Sequence, residues 1–459
     1  MKKESSVFIC NECGHSESKW LGRCPDCGAW NSFEEQAAPS KKGNTRSSQN
    51  PKSTKLVPLS DIQINKGFRY KSNISEFDRV LGGSVMQGGS ILIGGEPGIG
   101  KSTLMLQVVS SLKGKKTVYV SGEESAQQVR SRCDRLKLPL DSILLYSDTR
   151  LEQLQDLIRK EKPDVMVIDS LQTLVSEQIG STPGSVNQMK MCSMELVDTA
   201  KQYDCTLFLV GHVTKDGQIA GPKVVEHIVD TVLYFELADS GARIIRSTKN
   251  RFGSIDEIGI FLMSEKGLIP VPDPAGFFLN KRSQTLLPPG IAFGTMVEGS
   301  RTFLVEIQAL TTPVKNGGYS RVYSERIDSA LVSRIAAVLE RHGQIGFSQH
   351  DLYVNVAGGI RLKEVAIELP LALALYSAAT GNPLPSDMVS MGELSLAGEI
   401  RPVGFAQKRI KGAHDMGYTT VIIPESNGIK AQSNLIKVAD LQETLSLVKT
   451  LKIRDSKHS

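Results

Sequence analysis

The sequence predicts an α/β chain. A core built on a parallel sheet carries a phosphate-binding loop, with a small cysteine knuckle ahead of it and a second α/β domain behind it. Three observations predict this. Short apolar runs alternate with helical patterns from Ser90 to Val210, the order of βα units whose parallel strands are covered on both faces. Gly95–Ser102 reads G-x-x-x-x-G-K-S between an apolar strand and an apolar helix. Four of the seven cysteines fall within the first 27 residues, and prolines near residues 270 and 288 set off a long C-terminal stretch.

At 459 residues the chain exceeds one hydrophobic core and predicts about three domains. Hydrophobic content of 40% and charged content of 22% are those of a globular chain. No apolar run is long enough to cross a bilayer, and the start Met1-Lys2-Lys3-Glu4 lacks a signal-peptide core. The expectation is a cytoplasmic protein without a membrane partner. A net charge of +5 is too mild to imply nucleic acid by itself, so such contacts must come from local patches.

Residues 1–33 read as the knuckle. Cys10-x-x-Cys13 and Cys24-x-x-Cys27 are ten residues apart, and each turn can aim two thiolates at one metal. Zn²⁺ suits four thiolates that leave no open position; a redox pair or an iron site shares the spacing. Gly14 and Gly28 follow the second cysteine of each pair, where a tight turn needs positive φ. Trp20 and Trp30, the only tryptophans, are expected to pack over this small module. Residues 34–55 are Ser, Asn, Gln, Lys and Pro with few apolar side chains, the composition of a flexible linker.

The core is expected over 56–270. Strands are predicted at Ser90–Ile93, Thr117–Val120, Ile143–Leu145, Val165–Ile168 and Thr206–Val210, and helices at Ser125–Leu136 and Ser185–Tyr203. Thr149 with Glu152 three residues on has the pattern of a capping box opening a further helix. The loop Gly95, Glu96, Pro97, Gly98, Ile99, Gly100, Lys101, Ser102, Thr103 would wrap triphosphate oxygens with backbone N–H groups at a helix N-terminus. Lys101 would reach the β- and γ-phosphates and the Ser102 hydroxyl would ligate Mg²⁺. Polar residues fall at the carboxyl ends of the strands, where α/β sheets bind ligands. Asp169 ends a Walker B strand and would hold Mg²⁺ through its water shell. Glu123 and Glu124 follow the strand Thr117–Val120, where a carboxylate can orient and deprotonate water. His212 stands where a γ-phosphate sensor would. Any one such acid can be a mere helix cap; four around one loop point to a site.

A strand-end glutamate, a Walker B aspartate and a polar sensor together resemble the RecA/DnaB-type ATPase family. That resemblance implies ATP as ligand, Glu123 as catalytic base and His212 as sensor. It also implies that loops Ser176–Ser185 and Val213–Pro222 face single-stranded DNA in a ring, with Lys215 and Lys223 on phosphates. Two ordinary surface loops are the plainer alternative. Lys249-Asn250-Arg251-Phe252-Gly253 follows the strand Arg243–Thr248. Together with the Cys₄ knuckle, the phosphate loop and the C-terminal domain, it resembles the bacterial RadA/Sms family of DNA repair proteins over nearly the whole chain. The resemblance implies a DNA-dependent ATPase acting on single-stranded and branched DNA as a homo-hexamer, nucleoid-associated, with a recombinase as a candidate partner. It leaves Lys249 and Arg251 two roles: acting in trans on a neighbour's γ-phosphate, or coupling DNA binding to hydrolysis.

A proline-bearing linker is expected over 271–285 and a further domain over 286–459. Its predicted elements are strands at Phe303–Leu310, Asp351–Val356 and Thr419–Pro424, helices from Asp328-Ser329 and over Glu368–Ala379, and a hairpin about Gly398. This order resembles the Lon proteolytic domain, so the whole reads as a RecA-like P-loop ATPase core with an N-terminal zinc knuckle and a C-terminal α/β Lon-protease-like domain. Leu371 stands at the position of the Lon serine and Gln407 at that of its lysine; Lys408, one residue on, has no serine to activate. The domain is therefore expected to be a proteolytically inactive scaffold, with Arg301, Arg321, Arg326, Lys408, Arg409 and Lys411 as candidate basic contacts. An ATP-dependent protease and a nucleotide-switched binding module without motor activity are the rival readings.

Overall fold

The computed structural model describes residues 6–10, 16–25, 28, 30–37, 58, 60, 68–212, 220–238, 241–255, 257–271, 286–314, 319–359, 361–425, 429 and 435–455. Cys13, Gly14, Cys27, the linker from 38 on, loop residues 213–219 with Lys215, and 272–285 lie outside the described residues. The chain divides into two compact units, Met1–Leu237 with Arg243–Pro270, and Ala238–Ala242 with Val271–Ser459.

The N-terminal module is a three-stranded antiparallel sheet of β1 (Ser6–Cys10), β2 (Ser16–Glu17) and β3 (Phe33–Ala37), with β1 in the middle. Cys10, Cys24 and Phe33 form its buried cluster, with Phe8 packed against it. Gly28 has the expected positive φ, 75°, which lets its N–H close a turn on the Cys24 carbonyl at 2.9 Å. The tryptophans depart from expectation: Trp20 is 51% exposed and Trp30 71% exposed. The small interior is filled by the thiols and Phe33, so Trp30 lies outside with the Arg23 guanidinium 5.7 Å from its ring.

The rest of the first unit follows in order: β4 (Arg69–Tyr70), α1 (Ser75–Val80), β5 (Val85–Met86), β6 (Ser90–Gly95), α2 (Lys101–Ser111), β7 (Thr117–Ser121) and α3 (Ala126–Leu136). Then come β8 (Ile143–Tyr146), α4 (Leu151–Glu161), β9 (Val165–Asp169), α5 (Val186–Gln202), β10 (Thr206–His212) and α6 (Ala220–Val225). Four strands close it: β11 (Thr231–Leu237), β12 (Arg243–Asn250), β13 (Ile258–Ser264) and β14 (Gly267–Pro270). The main sheet has the order β8-β7-β9-β10-β6-β11-β12-β13-β14. From β8 to β11 it is parallel, and β12, β13 and β14 run antiparallel beyond. The sheet is thus mixed rather than wholly parallel, because the chain after β11 returns by short turns and not by crossover helices.

Side chains alternate across the parallel strands. Ile91, Ile93, Val167 and Phe208 pack with α1, α2 and α3, while Leu92, Met166, Ile168 and Leu209 pack with α4 and α5. The outer strand β8 is the exception, with Leu144 and Leu145 exposed at the edge. The capping box is at α3, where Ser125 and Gln128 satisfy each other's backbone N–H. Thr149 and Glu152 do not form one: Arg150 is the cap residue of α4, its N–H bonded to Asp148 at 2.9 Å, and Glu152 accepts from the Ser176 hydroxyl.

The second unit contains β15 (Ile291–Glu298), β16 (Arg301–Pro313), β17 (Val322–Ser324), α7 (Ser329–Gly343), β18 (His350–Val356), α8 (Glu368–Thr380) and β19 (Met388–Ser390). The hairpin strands β20 (Glu393–Leu394) and β21 (Ile400–Arg401) follow, then α9 (Ala406–Asp415), β22 (Thr420–Pro424), β23 (Leu435–Val438) and α10 (Leu441–Asp455). Its sheet order is β17-β18-β16-β15-β19-β22-β23. Asp328 caps α7 as its sequence position suggests. Leu371 is wholly buried within α8. Arg409 is not a surface cation: it is buried, paired to Glu364, and donates to the carbonyls of Thr295 and Gly404 at 2.7 and 2.8 Å. An ion pair buried in this way is spent on packing, and the charge is withheld from any external phosphate.

Candidate active site

The register of the parallel strands brings the candidate residues to one edge of the sheet. His212 lies beside Gly95 across β10 and β6, Val210 beside Asp169, and Ser121 beside Asp169 across β7 and β9. Lys101, Glu123, Asp169 and His212 therefore all rise from the carboxyl ends of β6, β7, β9 and β10, where a doubly covered sheet leaves a crevice. Gly100 forms the α2 cap at φ 120°, a conformation that lets the loop turn directly into the helix. Glu96, Pro97 and Gly98 are exposed, Ile99 is buried as the loop's apolar anchor, and Ser102 and Thr103 open the helix.

Lys101 is buried, and its Nζ donates to the carbonyls of Gly95 and Glu96, both at 2.8 Å. An ammonium has three protons, so these bonds leave one for a phosphate oxygen. Burial pushes the Lys101 ammonium down to about 8, opposed by the nearby carboxylates of Asp169, Glu123 and Glu96. The buried Tyr119 hydroxyl donates to Asp169 Oδ2, which restrains the carboxylate and leaves Oδ1 outside this bond. Burial first, and then the Asp169 charge, raise the Tyr119 hydroxyl well above its ordinary range, so it stays a donor. Ser102 and Asp169 are the oxygen donors that could hold a magnesium ion here, a hard cation that favours such ligands.

The two glutamates after β7 have different partners. Glu124 is paired with Arg132 on α3, whereas Glu123 turns into the crevice. The Ser170 hydroxyl donates to Glu123 Oε1, and His212 Nε2 lies 3.2 Å from Oε1 and 3.4 Å from Oε2. Gln172 donates to the His212 carbonyl at 3.3 Å. Tyr119, Ser170, Gln172 and Arg132 were not legible as site residues in the sequence. Only the position of Ser170 directly after Asp169 offered a signal.

Lys249 and Arg251 lie elsewhere. β12 runs antiparallel to β11, and Asn250 pairs with Thr231, which pairs with Ile91 near the start of β6. Four residues of strand, about 13 Å, separate that level from Gly95. At this far edge Arg251 Nη1 donates to the buried Asp230 carboxylate at 3.2 Å, which also accepts from Ser90 Oγ at 2.7 Å and Lys201 at 3.3 Å. Lys249 Nζ donates to the carbonyl of Glu226, just past α6, at 2.7 Å. Burial, with the Arg251 charge second, lowers the Lys249 ammonium. The structure thus gathers four of the six proposed catalytic residues and holds the other two at the opposite end of the strands.

Loop Ser176–Ser185 is fastened by Gln188 of α5, whose side chain accepts from Ser176 N–H at 3.0 Å and donates to the carbonyls of Ser176, Ile179 and Ser181. In the N-terminal module, Cys10 and Cys24 bring two buried thiols into one cluster, suited to a soft tetrahedral metal such as zinc. No group of three or more metal-binding side chains occurs among the described residues, which exclude Cys13 and Cys27. No helix among the described residues is long and apolar enough to cross a membrane.

Three family models match the chain. Residues 57–218 match an AAA domain, 8–35 a rubredoxin metal binding domain, and 325–427 the subunit ChlI of Mg-chelatase. The chain is 49% identical over 92% of its length to the DNA repair protein RadA of Treponema pallidum, of which 92% is covered. It is 42% identical to the protein of that name from Pseudomonas aeruginosa, over 97% of this chain and 99% of that one. With the Haemophilus influenzae protein it shares 40% identity over 98% of this chain and 100% of the other. Among solved structures, the KaiC-like protein PH0186 from Pyrococcus horikoshii OT3 has 19% identity and a TM-score of 0.38, covering 44% of this chain and 99% of that one.

Proposed function

The chain belongs to the RadA family of DNA repair proteins, and on that premise we propose that it is a DNA-dependent ATPase that moves on recombination intermediates. Single-stranded DNA is the proposed effector and branch migration the proposed outcome, with a hexameric ring as the working form and a recombinase as a candidate partner. Loop N–H groups and Lys101 hold the phosphates, and Ser102 and Asp169 hold the magnesium that neutralises their charge. Glu123 orients the attacking water and takes its proton. Lys249 and Arg251 are held away from their own nucleotide loop, which favours action on a neighbour or transmission from the α6 segment. The C-terminal unit is proposed to serve without peptidase chemistry, since Leu371 is buried where a nucleophile would be needed.

The observation that carries this reading is the contact of His212 with Glu123. It joins the residue that would activate water to the start of the segment between β10 and α6, which we propose holds DNA. The test is ATP turnover with and without single-stranded DNA, followed by branch migration on a three-strand substrate. Stimulated turnover that Lys101→Ala abolishes is expected. Turnover indifferent to DNA, with no strand exchange, would leave a nucleotide-switched module in place of a motor.

A further inference from the structure

We infer that Ser170 is a positioning residue for the catalytic carboxylate, an inference that rests on the reading of Glu123 as the base. Glu123 stands two residues past β7, and its side chain is 46% exposed. A glutamate so placed has many rotamers, and freezing it costs side-chain entropy. A base has to be held within about 0.5 Å of its productive position, so something rigid must choose among those rotamers. Ser170 has that rigidity. It is fully buried, it has a single side-chain torsion, and its Oγ donates to Glu123 Oε1.

The second contact on the carboxylate is of a different kind. His212 Nε2 is shared between both oxygens, at 3.2 and 3.4 Å, and His212 is the last residue of β10. Ser170 belongs instead to the buried floor, one residue after the proposed magnesium ligand Asp169. It therefore fixes the base relative to the metal-holding strand. Oε1 takes the Ser170 bond and the shorter His212 contact, so Oε2, with only the longer His212 contact, is the oxygen more open to water. The sequence alone conceals this role, since a serine after a Walker B aspartate reads as an ordinary small residue.

The experiment compares Ser170→Ala, Glu123→Gln and the double variant in the full chain, measuring kcat and KM for ATP with saturating single-stranded DNA, and equilibrium binding of a fluorescent ATP analogue. Ser170→Ala is expected to lower kcat about ten-fold, the scale of a misplaced catalytic group, with KM and analogue affinity within about two-fold of the parent. In the Glu123→Gln background the same change is expected to have no further effect, because there is no base left to position. A parent-like kcat in Ser170→Ala, beside an inactive Glu123→Gln, would overturn the inference and leave the base assignment intact. An active Glu123→Gln would instead remove the base assignment itself. Equal losses of kcat and analogue affinity in Ser170→Ala would mark a merely structural serine and also overturn it.

Discussion

Burial pushes the Lys101 ammonium down to about 8 while three nearby carboxylates oppose the shift. The sign of the consequence follows from which form binds phosphate. Below pH 8 the free protein already carries the proton, and affinity is insensitive to pH. Above it the proton must be taken up on binding, because a polyphosphate favours the charged lysine. Nucleotide affinity measured without magnesium is therefore expected to be flat below about pH 7 and to fall by up to ten-fold per unit above about pH 8. Titration of a fluorescent ADP analogue in EDTA reads this directly, and an affinity constant to pH 9.5 would show that the free lysine stays charged. Of this residue set, the loop and its lysine were legible because they follow a fixed spacing. The partners that tune them were not, since Tyr119 and Ser170 acquire meaning only when strand register sets them beside Asp169 and Glu123.

One element shows the same gap between pattern and contact. Loop Ser176–Ser185 reads as a glycine-bearing connection, yet Gln188 ties its first half to α5 through four backbone groups. Gln188→Ala would leave the buried Ser176 N–H unpaired and strip a bond from the Ser181 carbonyl, while the Ser176 and Ile179 carbonyls keep backbone partners, a local cost of about 1–3 kcal/mol. Amide exchange over residues 176–181 is expected to quicken about ten- to hundred-fold while exchange in β9 and β10 stays unchanged. Unaltered loop exchange would show that packing, not Gln188, orders it. Periodicity located the consecutive strands β6 to β10 and the helices α2 to α5 of this unit, because apolar alternation and serine caps are local signals. It misplaced the capping box, since Asp148 competes for the Arg150 N–H and Ser176 for Glu152. It also left α1, α6, the parallel strand β11 and the antiparallel strands β13 and β14 unassigned; the pairing of the last two depends on turns and not on a crossover helix.

At the scale of the whole molecule, the separation of Lys249 and Arg251 from Gly95 makes the proposed ring testable. Both residues stand at the amino-terminal edge of the parallel strands, and Arg251 is anchored there by Asp230, itself bonded to Ser90 and Lys201. In a head-to-tail ring each nucleotide loop can meet the opposite edge of its neighbour, so one subunit supplies Lys101 and the next supplies Arg251. Lys101→Ala and Arg251→Ala are each expected to be inactive alone. Mixed in equal amounts and allowed to exchange, they place an intact loop against an intact arginine at about one interface in four, so about a quarter of parent turnover should return. Mass photometry on the mixture establishes that mixed rings have formed. Recovery identifies Arg251 as acting across the interface. Mixed rings with no recovery would assign it to transmission within its own subunit, along the route traced by the Lys249 bond to Glu226 just past α6 and the Arg251 bond to Asp230.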